Sequence, residues 1–258
     1  FERPAADLRF LGENKMFSSN IEKYIIYEDK DILVCKKPAG IAVQNARIGT
    51  MDLESSLKNY LAAKDTKQPP YLAVVHRLDQ PVEGVLVFAK NPKAAKELSS
   101  QIAKGKMEKI YLAVTCEKPQ AKQGILEDYL KKDGKTNTSS VVSAGTPGAK
   151  KALLSYEVLE EVTDKITGKP KWLLKIHLET GRHHQIRVQM AHAKMPLAGD
   201  RKYGKNSQKT ENTAGYTGGL GLCAASLTFS HPTTKKTMKY DTIPETSTFE
   251  GFIKMKKI

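Results

Sequence analysis

Leu72-Ala73-Val74-Val75-His76-Arg77-Leu78-Asp79-Gln80-Pro81-Val82-Glu83-Gly84-Val85-Leu86-Val87-Phe88 reads as strand, polar turn, strand. The tip His76-Arg77-Leu78-Asp79 closes the first apolar run. A carboxylate set between a cation and a turn is well placed to act as nucleophile or base, and a neighbouring guanidinium favours its charged form. On spacing alone an ordinary turn aspartate is the favoured reading, because a four-residue polar tip is weak evidence.

Working outward, Ile25-Ile26-Tyr27 and Ile32-Leu33-Val34-Cys35 are β-rich runs split by the turn formers Asp29-Lys30-Asp31. Pro38-Ala39-Gly40 opens a loop. Residues 52–63 carry Leu53, Leu57 and Leu61 at helical spacing. Asn91-Pro92 begins a helix over 92–104, with Asn as cap and Pro at the first position, and Gly105 stops it. Ile110–Thr115 reads as a strand. Residues 131–150 are rich in Lys, Gly, Ser and Thr and read as a mobile basic loop. Leu153–Leu159 and Trp172–Leu178 form a hairpin pair, Gln185–Val188 a strand leading into a short helix near Met190–Lys194, and Leu222–Ser230 the final strand. Residues 202–219 read as a flexible loop and Thr248–Ile253 as a docking helix. No repeat is present. Strands joined mostly by short turns, without regular βαβ alternation, predict an α+β fold: a mixed, mostly antiparallel sheet flanked by helices and loops.

The 258 residues are 40% apolar and 27% charged, which suits a globular domain and excludes wholesale disorder. No run of about 18 apolar residues exists to cross a membrane as a helix. Lys+Arg is 42 against 28 Asp+Glu, a net charge of +14 that favours a polyanionic partner, nucleic acid first. Of seven arginines, Arg77, Arg182, Arg187 and Arg201 fall in or near two segments that hold the chemistry. Cys35, Cys116 and Cys223 are far apart, which predicts a reduced, cytoplasmic chain with neither a disulfide scaffold nor a structural zinc. GxGxxG and GxxxxGK[ST] are both missing, so dinucleotide and P-loop binding have no support. The opening Phe1-Glu2-Arg3-Pro4 is neither a signal peptide nor an initiator, and an upstream segment is left open. Residues 1–20 are expected as an arm rather than a complete S4-like module, and 21–258 as the catalytic domain.

The second segment is Thr180-Gly181-Arg182-His183-His184-Gln185-Ile186-Arg187-Val188. Arg182 and Arg187 suit bidentate binding of phosphate or carboxylate. His183, His184 and His192 raise a metal site. Neighbours on a strand face opposite ways, however, so no metal is expected there.

Together the two segments resemble the RluA-type pseudouridine synthases. The family's HRLD, variable pair, Thr-Ser-Gly and apolar run stand here as His76 to Lys90. Its Gly-Arg-Thr-His-Gln-Ile-Arg-Val-His stands as Gly181 to Gln189, followed by Pro196-Leu197-Ala198-Gly199-Asp200 and Tyr203-Gly204. Tyr27–Val34 with Lys37-Pro38-Ala39-Gly40, Lys109–Val114 and Leu222–Pro232 agree as well, in family order over about 24–235. Departures are Val82-Glu83 for Thr-Ser, His183 for Thr, Gln189 for His and Cys223 for His.

The resemblance implies an isomerase that converts specific uridines of ribosomal or transfer RNA to pseudouridine. Its fold would be the pseudouridine synthase fold with a central catalytic cleft. It implies Asp79 as nucleophile, at the sugar or at the base; Arg187 as its ion partner; and Tyr111 against the uracil. His76, Arg77, Arg182, His184 and Gln185 are implied at the RNA. The reaction only rearranges atoms, so no cofactor and no metal are expected, and no obligatory protein partner: a monomer acting on RNA. Lysines along 93–109 and 131–151 are candidate phosphate contacts, although solvated surface is the favoured reading residue by residue. Two rival readings are a non-catalytic RNA-binding module and a glycosidase using Asp79 with Glu83. Release of the C5 hydrogen of uridine, of sugar or base, or of nothing separates the three.

Overall fold

The computed structural model describes residues 20–45, 51–65, 68–165, 167–204 and 218–256. Of the arm proposed for 1–20 only residue 20 lies within them, and of the loop proposed for 202–219 residues 205–217 lie outside.

Eleven strands form one sheet among the described residues. The order is β1 (Ile25–Glu28), β2 (Ile32–Lys37), β4 (Glu83–Ala89), β10 (Leu222–Ser230), β5 (Glu108–Thr115), β9 (Pro170–Leu178), β8 (Lys150–Thr163), β6 (Gln123–Asp133) and β7 (Thr138–Val142). The short β3 (Ala73–Val74) pairs with β4, and β11 (Thr237–Asp241) with β10. β4 and β10 run parallel, with Ala224 opposite Gly84; the other pairings are antiparallel. The expected mixed, mostly antiparallel sheet is thus observed. Gly84 sits at φ +130, and a Cβ there would strike the main-chain oxygen of Ala224. Only glycine lets the parallel pair close at this point.

Alternation along the central strands sends side chains to two cores. Leu86, Phe88, Tyr111, Ala113 and Leu222 pack with Leu53, Leu57 and Leu61 of α1 (Leu53–Lys64) and with Ile186 and Met190 of α3 (Gln185–His192). Val85, Val87, Leu227 and Phe229 face the other way, onto Ala94 and Leu98 of α2 (Pro92–Ala103). Farther along that side Leu112, Val114, Leu173 and Ala225 are covered by Phe249 and Phe252 of the C-terminal segment. Asp52 caps α1 by accepting from Ser55 N at 2.8 Å, and Asn91 caps α2 by accepting from Ala94 N at 2.9 Å. Helix α2 and its Asn-Pro start match the expectation.

Four expectations need correction. Residues 131–150 are not one mobile loop: β6 and β7 pair from Tyr129↔Val142 to Asp133↔Thr138. Asp133 Oδ1 accepts from Lys135 N at 2.8 Å and shapes the turn, so its polar residues are hairpin surface. Gln185–Val188 is no strand but the first turn of α3. Ile186 and Met190, four apart, share one core, which is a helical spacing. Leu222–Ser230 is not the last strand, because β11 follows. The tail is a 3-10 turn over Ser247–Phe249 rather than a helix through Ile253.

His231 ties the far end of β10 to the β1–β2 turn. Its Nδ1 accepts from Thr233 N and Thr234 N at 3.2 and 3.0 Å, which places the proton on Nε2 and directs it to Asp29 Oδ2 at 2.9 Å.

Candidate active site

The segment between β3 and β4 that carries Asp79 is braced from two sides. On one side His76 Nε2 accepts from Val87 N at 3.2 Å. Burial, helped by the nearby charge of Lys109, lowers the His76 pKa to about 3, so the ring is a neutral acceptor. On the other side the fully buried Lys37 donates to the oxygens of Pro38, Ile41 and Gln80 at 2.8, 2.7 and 3.0 Å. Gly40 N also donates to Gln80 O at 2.9 Å. Burial lowers the Lys37 pKa to about 7, against the pull of Asp79, Cys35 and Glu83. Val82 N closes the turn on Asp79 O at 3.0 Å. The Asp79 carboxylate is left a quarter exposed at the centre of a cleft.

Two cations or donors from the α3 segment face it. Arg187 Nη1 donates to Asp79 Oδ2 at 3.2 Å, and His184 Nε2 lies 3.5 Å from the same oxygen. The other edge of the Arg187 guanidinium is bound bidentately: Nε and Nη2 donate to Asp200 Oδ2 and Oδ1, both at 2.8 Å. Arg187 and Asp200 are buried. Burial alone would raise the Asp200 pKa, but the guanidinium overrides it and holds the carboxyl below its usual range. The Arg187 pKa rises in turn, against its own burial, because of Asp200.

His184 is positioned through Tyr203. Ser139 N donates to Tyr203 Oη at 2.9 Å, and Tyr203 Oη lies 2.6 Å from His184 Nδ1. This leaves Nε2 as the ring nitrogen that faces Asp79. Burial lowers the His184 pKa to about 4, opposed by Asp79 and assisted by Arg187. His184 itself sits in the left-handed region at φ 54, which turns the chain into α3.

The cleft has two lobes that meet at Asp79. One, about 940 Å³, is lined by Gln44, Asn45, Pro81, Gly199, Arg201 and Lys202 among others. The second, about 740 Å³, is lined by His76, Lys109, Tyr111, Glu179 and Arg182. Arg77, Lys132, His183, His184 and Arg187 line both. Besides Arg187 the lobes thus present Arg77, Lys109, Lys132, Arg182, Arg201 and Lys202, against, among the described residues, the carboxylates of Asp79 and Glu179. Glu179 is engaged by His177 Nδ1 at 2.6 Å. Tyr111 is buried in the wall of the second lobe, and burial raises its pKa, as do the charges of Asp79 and Cys223.

Of the residues singled out from the sequence, Asp79, Arg187, His184, Arg77, Arg182 and Tyr111 meet in this cleft. His76 lines it too, but its Nε2 is spent on the backbone of β4. Gln185 lines the second lobe as well. It is buried, its Oε1 accepts from Thr180 Oγ1 and Arg182 N at 2.8 and 2.9 Å, and its Nε2 donates to Leu153 O and Gln189 Oε1 at 3.1 and 2.9 Å. All of these bonds are internal, and they shape the Arg182 turn. Arg182 Nε donates to Lys151 O at 2.8 Å.

The three histidines raised as metal ligands do not converge. His183 bonds Ser139 Oγ and Asn137 Oδ1 at 2.9 and 3.1 Å, and its ring stacks on that of His184 at 3.7 Å. His192 meets Asp128 at 3.0 Å. Opposite strand faces are not the reason, since the segment is no strand; each ring is committed to a different partner. Glu83 also departs from the glycosidase role considered for it. It is buried on β4 and accepts from Glu245 N, Thr246 N and Thr246 Oγ1 at 2.9, 3.1 and 2.8 Å. That carboxylate anchors the C-terminal segment and does not pair with Asp79, which removes the glycosidase arrangement.

Asp200, Tyr203 and Lys37 were not among the site residues chosen from sequence. Each stands in a family-like stretch, Pro196–Asp200, Tyr203-Gly204 and Lys37–Gly40, and those stretches were the signal.

Residues 31–192 match the family model described as RNA pseudouridylate synthase. An uncharacterised RNA pseudouridine synthase of Zymomonas mobilis is 33% identical over 74% of this chain and 82% of its own length. The ribosomal large subunit pseudouridine synthase D of Pseudomonas aeruginosa is 32% identical over 91% of this chain and 72% of its own. The ribosomal large subunit pseudouridine synthase C of Rickettsia bellii is 34% identical over 71% of this chain but 58% of its own length. The solved structure of human RNA pseudouridylate synthase domain containing 4 superposes with a TM-score of 0.70 at 21% identity, covering 90% of this chain and 92% of that one, a likeness of fold. With the five ordered motifs and the cleft they build, these matches place the chain in the RNA pseudouridylate synthase family, among its RluA-type members.

Proposed function

We propose that this chain isomerises uridine to pseudouridine within RNA, with Asp79 as the nucleophile. One observation carries the reading. Asp79 stands partly exposed where two cationic lobes meet, held by Arg187 and His184 from behind, so that a charged oxygen faces a space suited to a nucleotide. Arg187 steadies the carboxylate through one nitrogen at 3.2 Å. Asp200 keeps Arg187 from closing bidentately over Asp79, which would quench it. Tyr111 lines the lobe that takes the uracil, and it is the candidate for handling the C5 proton, directly or by steering another group. The glycosidic C–N bond breaks, the uracil turns, and a C–C bond forms at C5 while the C5 proton leaves. N1, freed from the sugar, takes up a proton as C5 gives one up, so the composition is unchanged.

A uridine inside a stack is out of reach of this cleft, and extruding it costs a few kcal/mol. The cations Arg77, Lys132, Arg201 and Lys202 offset that cost by binding phosphates. The names of the relatives favour ribosomal over transfer RNA as substrate. None of the three cysteines forms a disulfide, which suits a reducing compartment such as the cytoplasm. The test is tritium release from RNA transcripts labelled at uridine C5. Stoichiometric release from a large-subunit ribosomal transcript, with pseudouridine at the same position, is expected. Release of free uracil, or no release from any cellular RNA, overturns the reading.

A further inference from the structure

We propose that the wall of the second lobe formed by Lys109, Gly181 and Arg182 is a phosphate subsite, which receives an RNA phosphate adjoining the nucleoside held at Asp79. The inference rests on the RNA-isomerase reading for its ligand, and on the following geometry for its place.

Lys109 lies on β5 two residues before Tyr111, so both point into the same lobe. Its cross-strand neighbour on β10 is Leu227, and on β9 the register places Leu178 beside it. Both are apolar. Most of the lysine is packed away, and that burial lowers its pKa with no anion opposing the shift. Among the described residues no carboxylate pairs with it. Asp79 is taken by Arg187, and Glu179 by His177. Glu108 points to the opposite face of β5, where it meets His177 at 3.5 Å. Other lysines with acids in reach are paired, such as Lys64 and Lys90 with Glu28, Lys151 with Glu127 and Lys171 with Asp164. A packed ammonium without a counter-ion is costly unless an anion arrives in use.

The surroundings suit a tetrahedral oxyanion. Gly181 has no side chain, and a Cβ there would stand 3.9 Å from Lys109 Nζ, so the glycine leaves the ammonium open to the lobe. Arg182 follows it. Its Nε is fixed on Lys151 O, and the terminal nitrogens make no bond within the described residues. A guanidinium fork beside an ammonium is a fitting pair for a phosphate diester. His76, also in this wall, is kept neutral by burial and by the nearby charge of Lys109, so it neither competes nor repels.

The experiment uses the full chain, with inorganic phosphate as first probe and a large-subunit ribosomal transcript as second. Lysine side-chain NMR should show a saturable phosphate shift at Lys109 that chloride of equal ionic strength does not cause. Lys109→Met should weaken phosphate binding, read at Arg182, by about tenfold or more. In transcript binding it should lower the slope of log affinity against log salt by about 0.7, the share of one phosphate contact, while Lys109→Arg keeps the slope. A loss of packing around Tyr111 would not move that slope. No saturable shift at Lys109, or an unchanged slope in Lys109→Met, overturns the subsite. A positive phosphate titration with a transcript that is never isomerised leaves the subsite standing and sinks the enzymatic reading. Turnover with an unchanged slope sinks the subsite alone.

Discussion

Asp200 holds Arg187 through two parallel bonds of 2.8 Å, and only the remaining guanidinium nitrogen, at 3.2 Å, touches Asp79. The unequal sharing matters for chemistry. A carboxylate gripped by both arms of an arginine is a poor nucleophile; one steadied by a single nitrogen keeps its other oxygen for the substrate.

Asp200→Asn should therefore damage catalysis from a distance. The amide accepts one of the two bonds, and Arg187 is drawn to Asp79. We expect kcat to fall about 100-fold, the scale of an ångström-sized misplacement, while RNA affinity changes by a few-fold at most. Unfolding in urea should also show a loss of about 3 kcal/mol, because a buried cation has lost half of its neutralisation. Unchanged kcat would mean that Asp200 serves stability only.

Asp79→Asn preserves shape and removes the nucleophile. Pseudouridine formation should be abolished with RNA binding within a few-fold, since asparagine cannot act as a carboxylate nucleophile. Substantial turnover by a pure preparation counts against Asp79.

How much of this was written in the sequence depends on the length scale. The Asn91-Pro92 helix start, the central strands and the Asp79 tip are local signals, and they stand where expected. The basic hairpin of β6 and β7 was hidden because its polar composition suits a loop as well as a solvated edge, and pairing with β8 decided for the strand. Helix α3 was misread because Ile186-Arg187-Val188 is β-rich locally, while the left-handed turn at His184 and the bonds of Gln185 fix it as a helix. The Arg187–Asp200 pair spans 13 residues and a turn, and no periodicity in the chain announces it. Only the family-like Pro196–Asp200 stretch marked the place.

Glu83 gives a case where the chain departs from its family. Three donors from Glu245 and Thr246 converge on this buried carboxylate. Glu83→Ala should cost about 1–3 kcal/mol of stability by leaving them unpaired, and should speed amide exchange at Glu245 and Thr246. Turnover per folded molecule should stay within a few-fold, because the carboxylate points away from Asp79. Loss of turnover without loss of stability would return Glu83 to the reaction.

Two of the histidines make the fold acid-sensitive in a defined window. The pKa of His184 is lowered to about 4 and that of His76 to about 3, both mainly by burial, from an ordinary value of 6.5. His183 shifts the same way. Between about pH 6.5 and 4 the unfolded chain takes up protons at His184 and His76 and the native chain does not. Stability is therefore fully present above pH 6.5 and falls as the pH drops, by about 1.4 kcal/mol per pH unit for each ring that stays neutral. The carboxyls held low, Glu28 at about 2 and Asp200, add their own losses below this window. His76→Gln isolates one ring, since an amide oxygen replaces Nε2 as acceptor for Val87 N without a titrating group. Urea unfolding at intervals from pH 4 to 7 should show the variant's stability falling less steeply than the wild type's, by about one proton's worth of slope. Parallel curves would mean that His76 is protonated in the native state, and that its bond to β4 is not what braces Asp79.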